Sequence, residues 1–271
     1  MHQEKKMLAH ISEDGTRVQT VADHLQGTAV LCGQFAAAFD AQQQGTWLGL
    51  LHDIGKYSTK FQKRLQGGEK VDHSTAGAQV AARYGQIPLA FAIAGHHSGL
   101  PDGGGRSDTA QDATMFGRLK KSVEPYTQWT NEIKLPSIPP QPEMMKENRF
   151  TQAFYTRMLY SCLVDADYLD TENFMSSPKP RGQGQTMDEL LKRLNQYTAK
   201  WSHPQGTLNQ RRSSILSACT TAWQTGRRGL YSLTVPTGGG KNGSVIGICA
   251  FASGKEPYGP GYLCDPLYIH Y

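Results

Sequence analysis

The stretch Gly49-Leu50-Leu51-His52-Asp53-Ile54-Gly55-Lys56 decides the reading of this chain. Trp47, Leu50, Leu51 and Ile54 recur at helical spacing, which predicts a buried helix over residues 46–54 with Gly55 as its stop. His52 and Asp53 then fall together at a helix end inside an apolar run. Adjacent imidazole and carboxylate ligands there can serve two metal ions, with the aspartate bridging. That donor pair suits a first-row transition ion better than magnesium or calcium.

Working outward, the first half of the chain reads as helices. Val21, Leu25, Thr28, Cys32, Phe35 and Phe39 lie on one face of a helix over residues 21–39. Ser58 is placed to cap a short helix carrying Phe61 and Leu65. An alanine-rich helix spans 74–84, and Pro88 opens another that ends near His96. The longest periodic segment is 150–169. Residues 99–107 (GLPDGGGRS) predict a mobile loop, and 135–142 (LPSIPPQP) exclude regular structure. Residues 176–185 (SSPKPRGQGQ) read as a linker, followed by helices near 187–201 and 208–225. A strand at 229–235 (GLYSLTV) then runs into Pro236-Thr237-Gly238-Gly239-Gly240-Lys241.

The chain has 271 residues, 38% of them hydrophobic and 19% charged, which excludes general disorder. Its net charge of +5 is compatible with a polyanionic partner, although any single basic cluster, such as Arg118 with Lys120 and Lys121, reads first as solvated surface. Five cysteines without a C-x-x-C pair argue against a disulfide framework or a zinc ribbon. The absence of a secretory signal or a membrane-length apolar run leads to the expectation of a cytoplasmic protein with no membrane partner. Of nine histidines, only His2, His203 and His270 lie outside the helical first half. His10, His24, His52, His73, His96 and His97 fall within it, and the last five sit in or beside apolar helices. Two adjacent pairs, His52-Asp53 and His96-His97, with His24 and His73, supply more donors than one mononuclear site needs. A buried helix end bearing two imidazoles is costly unless they find partners.

Five motifs in order, His24 to Thr28 as HxxxT, GLLHDIGKYSTKFQ at 49–62, DHSTAGA at 72–78, GHHSGLPD at 95–102 and LVDADYLDTE at 163–172, resemble the HD nuclease domain of the type I CRISPR-associated nuclease-helicase, nearest its subtype I-C form. The resemblance covers about residues 1–175. It implies an all-α fold, an HD-domain helical bundle with a dinuclear metal site, followed by a linker, helices and a truncated helicase strand with its phosphate loop. It implies two divalent transition metal ions, iron, manganese, cobalt or nickel. His24, His52, Asp53 and a late aspartate would hold one ion, and Asp53, His73, His96 and His97 the other. The family's Ala-Asp-aromatic pattern points to Asp167, while helical phase with Met158 and Cys162 favours Asp165; Asp167 is taken as the ligand. Lys56, one turn beyond His52, would reach a phosphate beside Asp53, and Ser98 with the glycine loop would line the entrance. The implied activity is endonucleolytic hydrolysis of single-stranded DNA presented by an RNA-guided CRISPR surveillance complex. The competing readings are an HD phosphohydrolase of nucleotides or cyclic dinucleotides, and a non-catalytic module that only docks on that complex.

The expected layout is a nuclease domain at 1–175, a linker and helices at 176–228, and a truncated helicase start at 229–271. TVPTGGGK resembles a nucleotide-binding loop of superfamily 2 helicases, but Asn242 stands where a magnesium-binding serine or threonine is required. Too few residues follow Lys241 for the motor, so no ATP hydrolysis is expected. Residues after Lys241 read as a frameshifted tail. Lysine and asparagine codons AAA-AAC lose one base to give lysine and threonine. Residues 262–271 permit codons that, read one base later, give Ile-Tyr-Ala-Ile-Pro-Tyr-Thr-Ser-Ile, which resembles the family's next helicase strand. Sequencing the gene checks this: the nucleotides after the Lys241 codon should open, one base over, into a helicase-like frame, and a frame without that likeness rejects it.

Overall fold

The computed structural model describes residues 6–176, 186–225, 233–236 and 238–239. The chain divides into two compact units, residues 1–179 and 180–271.

The first unit opens with an antiparallel hairpin, β1 (Leu8–Ile11) and β2 (Val18–Thr20). Among the described residues the fold is mostly helical, as expected, with this one short hairpin added to the helices. The hairpin turns at Asp14-Gly15, where the Asp14 carboxylate accepts from Thr16 N (3.1 Å) and from the hydroxyls of Thr16 (2.8 Å) and Ser12 (2.5 Å). An Asp-Gly turn is a strong hairpin signal. It went unread because strands of four and three residues are too short for alternation to show beside the long helical periods.

Thr20 caps α1 (Val21–Ala36) by accepting from Asp23 N, and Asp23 adds a favourable charge in the first turn. Buried Val21, His24, Leu25, Thr28, Ala29, Cys32 and Ala36 keep the expected face. The α-helix ends three residues short of Phe39, giving way to a 3-10 turn over Ala37–Phe39 and to Asp40 at φ 59°. Helix α2 (Gln42–Leu51) begins earlier than expected and stops sooner. Beyond it His52 closes the last turn, Asp53 leaves helical geometry (φ −121°, ψ 20°), and a 3-10 turn covers Ile54–Tyr57. Ser58 caps α3 (Thr59–Arg64), as read. Helices α4 (Ser74–Arg83) and α5 (Ile87–Gly95) follow, then α6 (Met115–Lys120), α7 (Trp129–Glu132) and the 27-residue α8 (Arg149–Met175).

Helices α1, α2, α5 and α8 pack on one another, with α4 against α5. Leu25, Trp47, Leu48, Leu51, Ile54, Leu89, Ile93, Leu159 and Leu163 are wholly or almost wholly buried between them. Each such side chain contributes about 1.5–3 kcal/mol of transfer free energy. Helices α1 and α2 meet most closely at Gly49, where a Cβ would lie 2.3 Å from both N and Cα of Ala29.

The two expected loops lack regular structure but are tied down. Trp47 Nε1, Gln44 Nε2 and Gln86 Nε2 donate to the carbonyls of Ser137, Pro140 and Pro139 at 3.1, 2.8 and 3.0 Å. The loop read as mobile over 99–107 is held to α6, whose Met115 and Phe116 amides donate to Asp102 O (2.8 Å) and Gly103 O (3.1 Å).

In the second unit, α9 (Met187–Ala199) starts with a reciprocal cap between Thr186 and Glu189, and α10 (Thr207–Thr225) follows. Residues 177–185 of the linker, residues 237, 240 and 241 of the phosphate loop, and the tail after 241 lie outside the described residues. Within the expected strand, the described residues 233–235 carry no strand. Among the described residues no helix is long and apolar enough to cross a membrane.

Gly49→Ala should destabilise the first unit by about 1–3 kcal/mol through overpacking against the Ala29 backbone. Urea unfolding followed by circular dichroism measures this, and an unchanged midpoint would show that α1 and α2 can part without cost.

Candidate metal centre

Asp53 is completely buried at the point where the 3-10 turn leaves α2. Its two oxygens face different histidines. Oδ2 lies 3.4 Å from His24 Nε2 and 3.5 Å from His52 Nε2. Oδ1 lies 3.4 Å from both His73 Nε2 and His96 Nε2. Asp167 Oδ1, from α8, completes the first group at 3.3 Å from His24 Nε2 and 3.6 Å from His52 Nε2. His97 Nε2, 2.8 Å from His73 Nε2, completes the second. Within each group of four, the donor atoms lie within 4.8 Å of one another. The structure thus brings together all seven residues expected as ligands, in two sets that share Asp53.

The outward nitrogens explain the inward ones. His24 Nδ1 pairs with Asp170 Oδ2 at 2.8 Å. The Nδ1 atoms of His52, His73 and His96 face the carbonyls of Gly49, Val71 and Ile93 at 2.9, 3.0 and 2.7 Å. A carbonyl or carboxylate accepts only, so each Nδ1 carries a proton and donates it. In the neutral rings the four Nε2 atoms are left with lone pairs that converge on carboxylate oxygens. His52 Nε2 and His24 Nε2 are only 3.2 Å apart. Such an arrangement needs a cation.

Two further observations test the fit. Neither Asp53 oxygen nor His96 Nε2 has a hydrogen-bond partner although all three are buried; the close neighbour of Oδ2 is the Lys56 ammonium, an ion pair at 2.8 Å. Orphaned buried polar atoms in this number are rare unless something binds them. Donors on a common ion at 2.0–2.2 Å must also sit roughly 3 Å or slightly more from one another, which matches the separations above. The residues fit divalent metal.

In the metal-free protein, protons take the cation's place. Burial and Lys56 push the His24 imidazolium down, but Asp167, Asp170 and Asp53 outweigh them and raise it to about 10. Burial likewise opposes charge on His96, and Asp53 with Asp167 reverses this and raises it. His97, lowered by burial and by His96 to about 4, stays neutral. Burial works against the Asp53 carboxylate, yet Lys56, His52 and His73 hold it well below its ordinary range.

Three residues of this environment were missing from the sequence reading. Asp170 lies one turn beyond Asp167 and is admitted by Gly27, where a Cβ would collide with its Oδ1 at 2.0 Å. Gln19 Nε2 donates to the same carboxylate at 2.8 Å. His10 packs edge-on against His24 with ring centroids 4.8 Å apart. Asp170 was visible as the third aspartate of Asp165, Asp167 and Asp170, and His10 was noted without a role. The choice between Asp165 and Asp167 turns on phase. The buried residues are Tyr155, Leu159, Cys162, Leu163 and Ala166, whereas Met158 is 37% exposed. Counting from Leu159 and Leu163 brings Asp167 inward.

Residues 21–132 match the family model of the HD domain, and this part of the chain is an HD domain. The chain is also 36% identical over 98 residues to "Ribonuclease Y" of Syntrophobacter fumaroxidans, a stretch covering 35% of this chain and 18% of that protein. The matched domain holds His24, His52, Asp53, Lys56, His73, His96 and His97. Asp167, Asp170 and His10 lie beyond its limits.

Because metal must displace the His24 proton, affinity should rise with pH through the neutral range, by up to about tenfold per unit for each proton released. Competition against a chelator at pH 6 and pH 8 measures the slope, and a flat profile would contradict the assignment. Asp170→Asn should weaken metal binding by about 10- to 100-fold, because it loosens the imidazole it orients.

Proposed function

We propose that this protein is a metal-dependent endonuclease that hydrolyses single-stranded DNA. The observation that carries the reading is one buried carboxylate, Asp53, facing two sets of imidazole lone pairs through its two oxygens. When bound, a pair of divalent ions such as iron, manganese, cobalt or nickel supplies an activated water and neutralises charge on the attacked phosphate.

The chain's own residues do the rest. His24 and His52 are wholly buried, Asp167 is partly buried, and His97 is exposed beside Ser98, which opens the centre toward solvent. Lys56, buried and within hydrogen-bond reach of Asp53 and His10, offers a fixed positive donor for a phosphate oxygen. No serine or cysteine nucleophile is required. Next to His97 a cavity of about 370 Å³ is lined by Ser98, Gly99, Leu100, Asp102, Arg118 and Lys121. Arg118 is held by Ser74 Oγ at 3.0 Å, and Gln79 Nε2 donates to the carbonyls of both Arg118 (3.2 Å) and Lys121 (2.7 Å). Lys121 Nζ lies 3.7 Å from Asp72 Oδ2 and stays partly exposed. Two cations on an open face suit a polynucleotide backbone better than a closed nucleotide pocket does.

The similarity to a ribonuclease supports a nuclease as a class and makes RNA the competing substrate. The CRISPR resemblance favours DNA. With it come docking on an RNA-guided surveillance complex, a cytoplasmic setting and the domain limits given above.

The purified chain with added manganese, cobalt, nickel or iron should cut single-stranded DNA without ATP, in preference to duplex DNA or single-stranded RNA of the same sequence. Asp53→Ala should lower the rate about a thousandfold or more. Preferential cutting of RNA, turnover of nucleotides only, or full activity in the Asp53 variant would each sink the assignment. Arg118→Gln with Lys121→Gln should weaken single-stranded DNA binding and reduce the salt slope by roughly 1.4, two contacts at about 0.7 each. Anisotropy titrations at several salt concentrations give that slope.

A further inference from the structure

The hairpin lies before the matched HD domain, yet it reaches the centre twice. His10 and Gln19 are paired across β1 and β2. Gln19 donates to Asp170, the carboxylate that orients His24. His10 Nε2 lies 3.1 Å from Lys56 Nζ. An ammonium only donates, so His10 is the acceptor there, and its Nε2 carries no proton.

The register that places His10 is built rather than incidental. Pairing runs Leu8 with Thr20 and then His10 with Gln19, so Ala9 is an extra residue and the strand bulges between them. A bulge bends its strand and re-aims the neighbouring side chain. The Gln62 amide fixes this bend against the 3-10 turn. Its Oε1 accepts from Leu8 N at 3.0 Å, and its Nε2 donates to Leu8 O at 2.9 Å and to Lys56 O at 2.8 Å. One side chain therefore ties the backbone before His10 to the backbone of Lys56 itself.

Lys56 has three N–H donors. The ion pair with Asp53 Oδ2 at 2.8 Å draws one toward it, and His10 Nε2 accepts another. Phe61 closes a further side, its ring centroid 5.7 Å from Nζ. Among the described residues the third donor has no partner. Two fixed acceptors define the direction of that third N–H, and with one acceptor the ammonium would rotate freely.

We propose that His10 is a positioning residue that aims the Lys56 ammonium at the substrate phosphate, and that the bulged hairpin is the part of the fold that holds it there. The activity arm of this inference rests on the nuclease reading above; its spectroscopic arm does not.

The test uses the full chain with manganese, single-turnover cleavage of a labelled single-stranded oligonucleotide, and metal content measured for every variant. His10→Leu should slow cleavage about 10- to 100-fold, the range for losing a hydrogen bond to a charged group. His10→Gln, whose amide oxygen stands where Nε2 stands, should restore most of the rate. His10→Leu combined with Lys56→Met should be no slower than Lys56→Met alone, because one residue acts through the other. Wild-type rates in His10→Leu, multiplicative losses in the double variant, or loss of metal from His10→Leu would each overturn the proposal. Long-range proton–nitrogen spectra of the metal-free protein give the second arm. His10 should appear with its proton on Nδ1 and its Nε2 signal shifted, and Lys56→Met should move that signal. An unmoved signal overturns the proposal whether or not DNA is cut. If the signal moves but the wild-type protein cuts no nucleic acid, the nuclease reading fails and the His10–Lys56 contact stands.

Discussion

The burial of one carboxylate governs this molecule. Asp53 is removed from water at the junction of the bundle's main helices, and an isolated charge there would cost far more than a small domain can offset. The surroundings are arranged to remove that cost. Lys56 forms an ion pair with Oδ2, four imidazoles bring nitrogen to both oxygens, and a second carboxylate arrives from α8. Adding Asp167 would worsen the imbalance if the cluster existed for stability alone. A structural ion-pair network brings its own opposite charges, whereas this one gathers two carboxylates around imidazoles that must take up protons or a metal ion to balance them. That is the electrostatics of a cation site, and α2 must end at Leu51 so that His52 and Asp53 can diverge into it.

The fold around this point was legible where one period ran long enough. The apolar faces of α1, α4, α5 and α8 follow from spacing alone, and so does the capping of α3 by Ser58. What spacing could not supply was the tertiary decision. Helix α2 carries an apolar pattern through Ile54, yet the ladder breaks after Leu51, because the chain must turn to face His73 and His96. The short hairpin offered only the Asp14-Gly15 turn as its sign. The loop over 99–107 was read from composition as mobile, and composition cannot see the backbone bonds from Met115 and Phe116 that hold it.

The ligand set was legible for a different reason. A metal centre needs particular side chains at fixed places, so its residues stand out against an apolar background even when far apart in sequence. His24 and Asp167 are separated by most of the first unit, and the motif order carried them together. The residues that orient the ligands left weaker marks. Asp170 and Gln19 act on His24 from outside, and ordinary polar residues fill such roles with no spacing of their own. Helical phase also misleads when it is counted from the wrong side chain. Met158 is partly exposed, and the buried row through Leu159 and Leu163 places Asp167 inward.

The two halves of the centre differ in a way that bears on its chemistry. The group around Asp53 Oδ2 uses His24 and His52, both fully buried, with Asp170 and the Gly49 carbonyl fixing their outer nitrogens. The group around Oδ1 ends in exposed His97, which stands beside Ser98 and the cavity carrying Arg118 and Lys121. The deep half is braced by α1, α2 and α8, the most extensively packed part of the bundle, and can hold a donor geometry against strain. The open half meets solvent and has room for a ligand that is not protein. Binding and access are thus assigned to opposite oxygens of one carboxylate. A group arriving from the His97 side comes under the field of both halves at Asp53, with the Lys56 ammonium already fixed on Oδ2.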